Sequence, residues 1–430
     1  MTGGTTQAAP AESVFTYGAP ALKFGDGAAD EIGYDLAQLG ARRALVITDA
    51  GVAATGLPQR VAEQMGRFDV VAEIFDGVRV EPTDASMQAA IDWARANGPW
   101  DAFVAVGGGS SIDTAKAVNL LLTNPGELLD YVNAPVGGGL DPVHALHPLV
   151  AVPTTTGTGS ESTTVCVLDV IAQRVKSGIS HARLRPTLAV VDPTLTLTQP
   201  PMVTASAGMD ILCHALESYT ARSYTAVPRK RPDERVPYCG ANPVSDMWSE
   251  RALALLATSF RRAVAHGDDL DARRDMALAA TFAGLGFGNA GVHIPHANAY
   301  PIAGQAHAYH PAGYPGDDPL VPHGMAVSLT APEAFRFTFP ASPDRHLRAA
   351  HLLEPATDVE SGDGTLPAVL TRLMRDIGLP GGVAAVGFGT GDVDELVDGA
   401  LKQQRLLATA PRAVTADDLA GIFERSMALW

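Results

Sequence analysis

Asp210 and His214 stand four residues apart in a stretch with helical periodicity, residues 204–221. Positions i and i+4 share one helical face, so both side chains can meet one cation. Five of the twelve histidines crowd into residues 293–323. Of these, His296 and His323 offer two further imidazoles from separate segments. One carboxylate and three imidazoles make a four-ligand nitrogen and oxygen set without sulfur. Such a set suits a borderline divalent ion, Fe²⁺ or Zn²⁺, rather than Ca²⁺ or Mg²⁺. Each part also has a plainer reading. An isolated Asp-x-x-x-His pair is usually surface or capping, and a histidine before glycine, as in His323-Gly324, often only makes a turn. His293, three residues before His296, competes as a ligand on spacing alone. His307 and His310 sit among glycine, proline and tyrosine and read as solvated or supporting residues.

A second constellation suits a phosphate. An apolar run at residues 102–106 leads into Gly107-Gly108-Gly109-Ser110 and then a helical pattern from Ser111. Glycines there let the backbone approach a ligand closely, and the free N–H groups of the helix start face an anion. The pattern is not G-x-G-x-x-G, because Ile112 holds the third glycine position. A tight strand-to-helix connection is the plainer reading. The next apolar run ends in Pro153-Thr154-Thr155-Thr156-Gly157-Thr158-Gly159-Ser160-Glu161, and open α/β sheets place ligands at such strand ends. Asp49 follows the run at 44–48. It can accept from a ribose hydroxyl and repel a 2′-phosphate, which favours NAD over NADP, or it can simply cap or face solvent.

The elements that must position these residues follow from hydrophobic pattern. Residues 44–48 (ALVIT), 70–75 (VVAEIF), 102–106 (AFVAV), 149–153 (LVAVP) and 187–191 (TLAVV) read as buried parallel strands. Helical segments lie between them, with Met87, Ala90, Ile91 and Ala94 on one face of residues 83–97, and another helix at 111–123. This alternation implies a doubly wound, Rossmann-like α/β domain over residues 1–198. From about residue 198 the strand signals stop. Residues 204–221, 243–266, 269–285, 365–377 and 416–429 are helical, which implies an all-α domain over 199–430. The proline- and charge-rich segment 222–242 reads as an exposed excursion, and 311–322 as a loop.

Composition narrows the partners. The chain has 430 residues, 46% of them hydrophobic, and a net charge of −16, which disfavours nucleic acid and anionic membrane surfaces. Three cysteines are too few for a disulfide framework and fit a reducing compartment. The first dozen residues show neither a secretory nor a transit pattern, and no apolar stretch has the length of a membrane span. A cytoplasmic protein is therefore expected.

Taken together the motifs resemble one family. Gly107 to Ser110, Pro153 to Glu161, Gly208-Met209-Asp210-x3-His214-Ala215-x-Glu217-x-Tyr219 and Pro322-His323-Gly324 are similar to the iron-dependent (group III) alcohol dehydrogenases, over roughly residues 15–430. Within that family the chain most resembles the hydroxyacid–oxoacid transhydrogenases. The features that carry this are Val80-Glu81-Pro82-Thr83-Asp84, Leu212 to Tyr219, Gly288-Asn289-Ala290-Gly291-Val292-His293, Asn242 to Asp246 after the excursion, and the long loop between His296 and His323.

The resemblance implies a dehydroquinate synthase-like fold with metal and nicotinamide in the cleft between the two domains. It implies Asp210, His214, His296 and His323 as metal ligands, with Fe²⁺ the first expectation and Zn²⁺ the second. His296-x3-Tyr300 aligns with the family's His-x3-His, which favours His296 over His293 and puts Tyr300 where many members have a second histidine. For the dinucleotide it implies Gly107, Gly108, Gly109, Ser110 and Asp113 at the glycine turn, and Thr154, Thr155, Thr158 and Thr163 along the pyrophosphate and nicotinamide ribose. Lys176 would reach a ribose, Leu195 would pack near adenosine, and Glu81 stands where other members carry Asn. The implied reaction passes hydride from 4-hydroxybutyrate through bound NAD to 2-oxoglutarate, in a homo-oligomer. A carboxylate substrate then needs a local cation, for which Arg183, Arg185, Arg229, Lys230, Arg231 and Arg336 are candidates. The alternatives are an NAD-dependent alcohol dehydrogenase that releases NADH, an NAD-using sugar-phosphate cyclase, and a non-catalytic binding protein on the same scaffold.

Overall fold

The computed structural model describes residues 10–173, 175–305, 308–314, 319–355 and 362–430. The first nine residues, His307 and part of the 311–322 loop lie outside the described residues.

Among the described residues eight strands form, all in the first half: β1 (Ala21–Phe24), β2 (Arg43–Asp49), β3 (Val71–Val78), β4 (Ala102–Gly107), β5 (Leu149–Pro153), β6 (Val165–Val170), β7 (Val175–Ser180) and β8 (Leu188–Val191). Six make one parallel sheet in the order β1-β8-β5-β4-β2-β3. The five expected strands are β2, β3, β4, β5 and β8. The continuous apolar runs of β2, β4, β5 and β8 reflect burial on both faces. β3, expected to be buried, is instead an edge strand that stays mostly exposed to half-buried, because only β2 pairs with it. Leu45, Ile47, Phe103 and Ala105 pack with Met87, Ala90, Ile91 and Ala94 of the Asp84–Asn97 helix and with Ile112 and Val118 of the Gly109–Thr123 helix. Their neighbours Ala44, Val46, Val104 and Val106 pack on the opposite face with Ile32, Leu36, Val61 and Met65, as the two-residue period of a strand requires.

Two features escaped the pattern. The edge strand β1 is only four residues long and stays exposed to half-buried. The hairpin β6–β7 is antiparallel and stands apart from the main sheet; β6 has only a four-residue apolar run, and β7 is broken by Lys176, Ser177, Gly178 and Ser180.

β2 lies between β3 and β4. Its onward connection and the later return to β4 therefore leave in opposite directions, which opens a crevice at the carboxyl ends of β2 and β4. Asp49 ends β2 and Gly107 ends β4.

After β8 the described residues hold helices and no further named strand. Pro201–Thr220, Pro243–Ala265, Leu270–Ala290, Thr365–Asp376 and Ala416–Arg425 match the helical stretches read from sequence. They close around one apolar core that includes Leu212, Leu216, Leu256, Phe260, Met325, Phe335, Leu370 and Phe423. The fold is thus an α/β domain followed by a helical domain, as expected. Two helices had no amphipathic signature: Ile294–Gly304 and His323–Thr338. The first is buried almost throughout and contains Pro301; the second contains Pro332. These two carry His296 and His323. Among the described residues no single helix is long and apolar enough to cross a membrane.

The 222–242 excursion is not uniformly exposed. Glu12 straps its outer part: it accepts from Lys230 N–H (3.0 Å) and pairs with Arg235 (3.2 Å). Its last residues, Gly240 to Asn242, are buried, and Tyr238 lines the central cleft. The expectation of an open loop fails there because the backbone N–H groups of Cys239 and Gly240 donate to the carbonyls of Asn289 and Ala290.

Candidate metal and dinucleotide site

The Pro201–Thr220 helix presents Asp210 and His214 on one buried face. His296 sits in the first turn of Ile294–Gly304, and His323 opens His323–Thr338. The three imidazoles turn one nitrogen each toward a single carboxylate oxygen. His296 Nε2 lies 3.4 Å from Asp210 Oδ1, His323 Nε2 3.7 Å and His214 Nε2 3.8 Å. The helices can come this close because residue 324 is glycine: a Cβ there would stand 2.0 Å from the Ser206 carbonyl oxygen and 2.8 Å from Asp210 Cβ. His323-Gly324 is therefore a close helix crossing and not merely a turn.

Glu217, one turn beyond His214 and fully buried, orients this group. His296 Nδ1 lies 2.5 Å from Glu217 Oε1, and the His293 N–H donates to Oε2 at 2.5 Å. A carboxylate only accepts, so Nδ1 carries a proton toward Glu217 and Nε2 is the ring atom turned toward Asp210, where its lone pair becomes available to a cation that displaces any second proton. Asp210 Oδ1 and His296 Nε2 are both buried and have no hydrogen-bond partner. Buried acceptors without donors are costly, and a cation at their meeting point would satisfy both. The ligand atoms of Asp210, His214 and His296 all lie within 4.8 Å of one another. The donor set fits a divalent ion. His293 does not join it: its Nε2 meets Thr220 Oγ1 at 3.1 Å.

The electrostatics agree with that geometry. Burial pushes His214 down to about 3 and outweighs the pull of Asp210. Burial also opposes charge on His296, but Glu217 and Asp210 more than offset it and raise the imidazole to about 9. Burial would raise Asp210, yet the surrounding imidazoles hold it well below the usual carboxylate range. The second proton thus held on His296 offsets one of the two buried carboxylates, and a cation would displace it from Nε2 and supply charge in its place.

The dinucleotide residues occupy the other wall. Gly109 starts the long Gly109–Thr123 helix. A Cβ on Gly109 would stand 2.8 Å from Thr158 Cγ2, and one on Gly108 3.0 Å from Thr155 Oγ1. The glycine turn and the threonine loop therefore pack directly on each other. Thr154 N–H donates to the Gly107 carbonyl (3.0 Å). Asp113 accepts from Ser160 Oγ (2.5 Å) and Val167 N–H (2.9 Å). Lys116, with no exposed side chain, donates to the Ser160 carbonyl and Oγ (both 2.8 Å), the Val165 carbonyl (2.6 Å) and Thr163 Oγ1 (3.1 Å). Asp49 caps the Ala50–Ala53 turn through Val52 N–H (3.0 Å) and accepts from Ser111 Oγ (3.4 Å).

One cleft is lined by Gly109, Ser110, Asp113, Thr158, Thr163, Lys176 and Tyr300 together with Asp210, His214, His296 and His323. Asp49, Gly107, Gly108, Thr154 and Thr155 stand at the strand ends behind this wall, and Leu195 packs against the core of the far sheet face. Lys176 is held between Glu81 and Asp169. Tyr300 stacks against His323 with centroids 6.0 Å apart, and burial pushes its phenol up to about 12. The cleft also holds Glu81, which the resemblance had set among the dinucleotide residues, and Tyr238, Phe287 and Arg405, which no local pattern singled out as site residues. Glu217 lay inside a quoted motif, but its contact with His296 bridges 79 positions.

Two family models match: "Iron-containing alcohol dehydrogenase" over residues 19–193 and "Fe-containing alcohol dehydrogenase family, C-terminal" over residues 236–427. The chain belongs to the iron-containing alcohol dehydrogenase family. It is an oxidoreductase. A hydroxyacid-oxoacid transhydrogenase from Rattus norvegicus is 44% identical over 95% of this chain and 89% of that protein. Among solved structures, a 1,3-propanediol oxidoreductase superposes with a TM-score of 0.84 at 31% identity, covering 96% of this chain and all of the other. The sulfoacetaldehyde reductase of Bifidobacterium kashiwanohense, solved in complex with NAD⁺, gives 0.78 at 25% identity, covering 96% and 99%. The expectation of a cytoplasmic protein is corrected here. The rat relative and its counterparts from Xenopus tropicalis and Homo sapiens are all named as mitochondrial.

Proposed function

We propose that this family member is a hydroxyacid–oxoacid transhydrogenase, taking 4-hydroxybutyrate to succinate semialdehyde and 2-oxoglutarate to 2-hydroxyglutarate through one bound NAD. The observation that carries the reading is the convergence of three imidazoles on Asp210 in the same cleft as the glycine turn, in a chain 42–44% identical to transhydrogenases. Asp210, His214, His296 and His323 would hold a divalent metal, Fe²⁺ ahead of Zn²⁺, and the glycine turn would hold NAD. When bound, the metal supplies Lewis acidity to a substrate oxygen and NAD supplies a hydride acceptor. We place the boundary between the two domains at residues 198 and 199, between the end of β8 and the Pro201–Thr220 helix.

The chain's own residues do the rest. Glu217 keeps a proton on His296 Nδ1 and turns Nε2 toward Asp210. The N–H groups at the start of the Gly109–Thr123 helix would hold the pyrophosphate, and Asp49 would accept from a ribose hydroxyl and disfavour a 2′-phosphate. Tyr300 stays protonated at neutral pH, so beside His323 it donates a hydrogen bond rather than abstracting a proton. Phe287, stacked on His214 at 3.9 Å, walls that side from water.

The likeness to 1,3-propanediol oxidoreductase favours a second reading, an alcohol dehydrogenase that releases NADH each cycle. Purified protein given 4-hydroxybutyrate and 2-oxoglutarate without added NAD separates the two. Sustained production of 2-hydroxyglutarate supports the transhydrogenase. Strict dependence on added NAD supports the second reading and overturns the first.

A further inference from the structure

We propose that Arg405 is the anchor for the substrate's carboxylate, and so the residue that makes this cleft select hydroxy acids over plain alcohols. The inference rests on the transhydrogenase reading and extends it to a residue. Arg405 and Lys176 are the two cationic side chains other than histidine in the cleft wall. Lys176 is committed to Glu81 and Asp169. Arg405 makes no ion pair with a carboxylate among the described residues. Its guanidinium lies over the Tyr238 ring at 4.6 Å, and Nη1 reaches Ser180 Oγ only at 3.5 Å. It is a half-buried positive charge, and the cleft carboxylates Glu81, Asp113 and Asp210 are engaged with other partners.

Its setting is built rather than incidental. Tyr238 has a left-handed backbone (φ 66) and packs over Gly291, where a Cβ would come within 2.7 Å of the ring. The next turn of chain is pinned by Thr409 Oγ1, which bonds the Val292 and Leu406 carbonyls. Tyr238, Tyr300 and Leu406 share one apolar cluster, and Tyr300 stacks on His323. Arg405 therefore ends a continuous wall that begins at the Asp/His cluster. A short hydroxy acid lying along it puts its hydroxyl at that cluster and its carboxylate at the guanidinium, whose planar fork can take both oxygens.

The cations suggested by sequence are elsewhere. Arg183 and Arg185 line a separate cavity. Arg336 faces a surface pocket beside Glu333. Arg231 is exposed and paired with Asp233 and Glu234, and Arg229 and Lys230 share its loop.

The test compares wild type, Arg405→Gln and Arg405→Lys in the oxidation of 4-hydroxybutyrate and of 1-butanol, with NAD affinity and metal content measured on each. Arg405→Gln is expected to lower kcat/KM for the acid by about 100-fold, mostly through KM, and at least about 30-fold more than for 1-butanol. Arg405→Lys should recover part of the acid activity. Equal losses on both substrates, a loss under about threefold on the acid, or weakened NAD binding would overturn the assignment, the last by giving Arg405 to the cofactor phosphates. A wild type that oxidises 1-butanol but ignores the hydroxy acid sinks the transhydrogenase reading, and the anchor with it. A wild type active on both, with a variant impaired equally on both, sinks the anchor alone.

Discussion

Replacing Glu217 by Gln changes one atom and should move a proton two bonds further. In the native protein Oε1 accepts from His296 Nδ1 (2.5 Å), while Oε2 accepts from the N–H groups of His293 (2.5 Å) and His296 (3.5 Å). The two N–H groups fix the glutamine carbonyl in the Oε2 position, since the reverse orientation points donors at donors. The amide NH₂ then faces His296 Nδ1, which must accept. The imidazole proton moves to Nε2, toward Asp210 Oδ1 at 3.4 Å. The neutral imidazole then has its proton on Nε2 and no lone pair for the metal, whereas the native ring, with Nδ1–H held by Glu217, offers one as soon as the second proton leaves. Losing such an orienting partner typically costs about 10–100-fold in metal affinity, or about 1.4–2.8 kcal/mol at about 1.4 kcal/mol per tenfold. Chelator competition with metal analysis gives the affinity. Melting with and without metal gives the linked stability, which should shrink by the same amount at saturating metal because metal binds only the folded state. An affinity within twofold of wild type would refute the argument, since it would mean His296 does not bind through Nε2 or is not oriented by Glu217.

Two other substitutions probe the scaffold. Lys116→Met removes the single ammonium that joins Ser160, Thr163 and Val165 and lies 3.5 Å from buried Asp113; stranding that carboxylate should cost about 3–5 kcal/mol in equilibrium denaturation. Gly159→Ala places a Cβ 2.8 Å from the Gly284 backbone at a left-handed residue (φ 59); overpacking and strain together should cost about 2–5 kcal/mol, read as a lower denaturant midpoint with unchanged slope.

What the sequence made legible was local. Asp210 and His214 could be paired because one helical turn joins them. Four buried strands announced themselves because sheet residues covered on both faces are apolar without interruption, while β3 was found as a strand but lies mostly uncovered at the sheet edge. His296 and His293 could not be separated by spacing, since both lie near the start of one helix. The choice depends on where the helix points them, His296 at Asp210 and His293 at Thr220. The helices bearing His296 and His323 were hidden because a helix buried on every side has no polar face to mark its period. Arg405 was invisible for a related reason: its four-residue helix carries no motif, and only folding brings it to Tyr238, 167 positions earlier. For Asp49 the capping and ligand readings need not exclude each other, because one carboxylate oxygen caps Val52 and the other is left to Ser111 and the crevice.

The net charge of −16 looks unfavourable for an enzyme of acids, yet it does not describe the cleft. Each carboxylate around the cleft has a cation or donor beside it, shared in two cases. Glu81 and Asp169 meet Lys176, Asp113 meets Lys116, Glu217 meets His296, and Asp210 faces three imidazoles. Surface carboxylates farther off are screened over about 8–10 Å at ordinary ionic strength. What an entering acid meets at contact distance is set by how these groups pair, and Arg405 is the cleft cation left without a carboxylate among the described residues. The same balance explains why the anchor has to be an arginine that stays unpaired. A lysine or histidine left in that half-buried position could shed its proton, whereas a guanidinium keeps its charge. Selectivity for an anion in an acidic protein thus requires only that one permanent charge be left unmatched within reach of the reacting end.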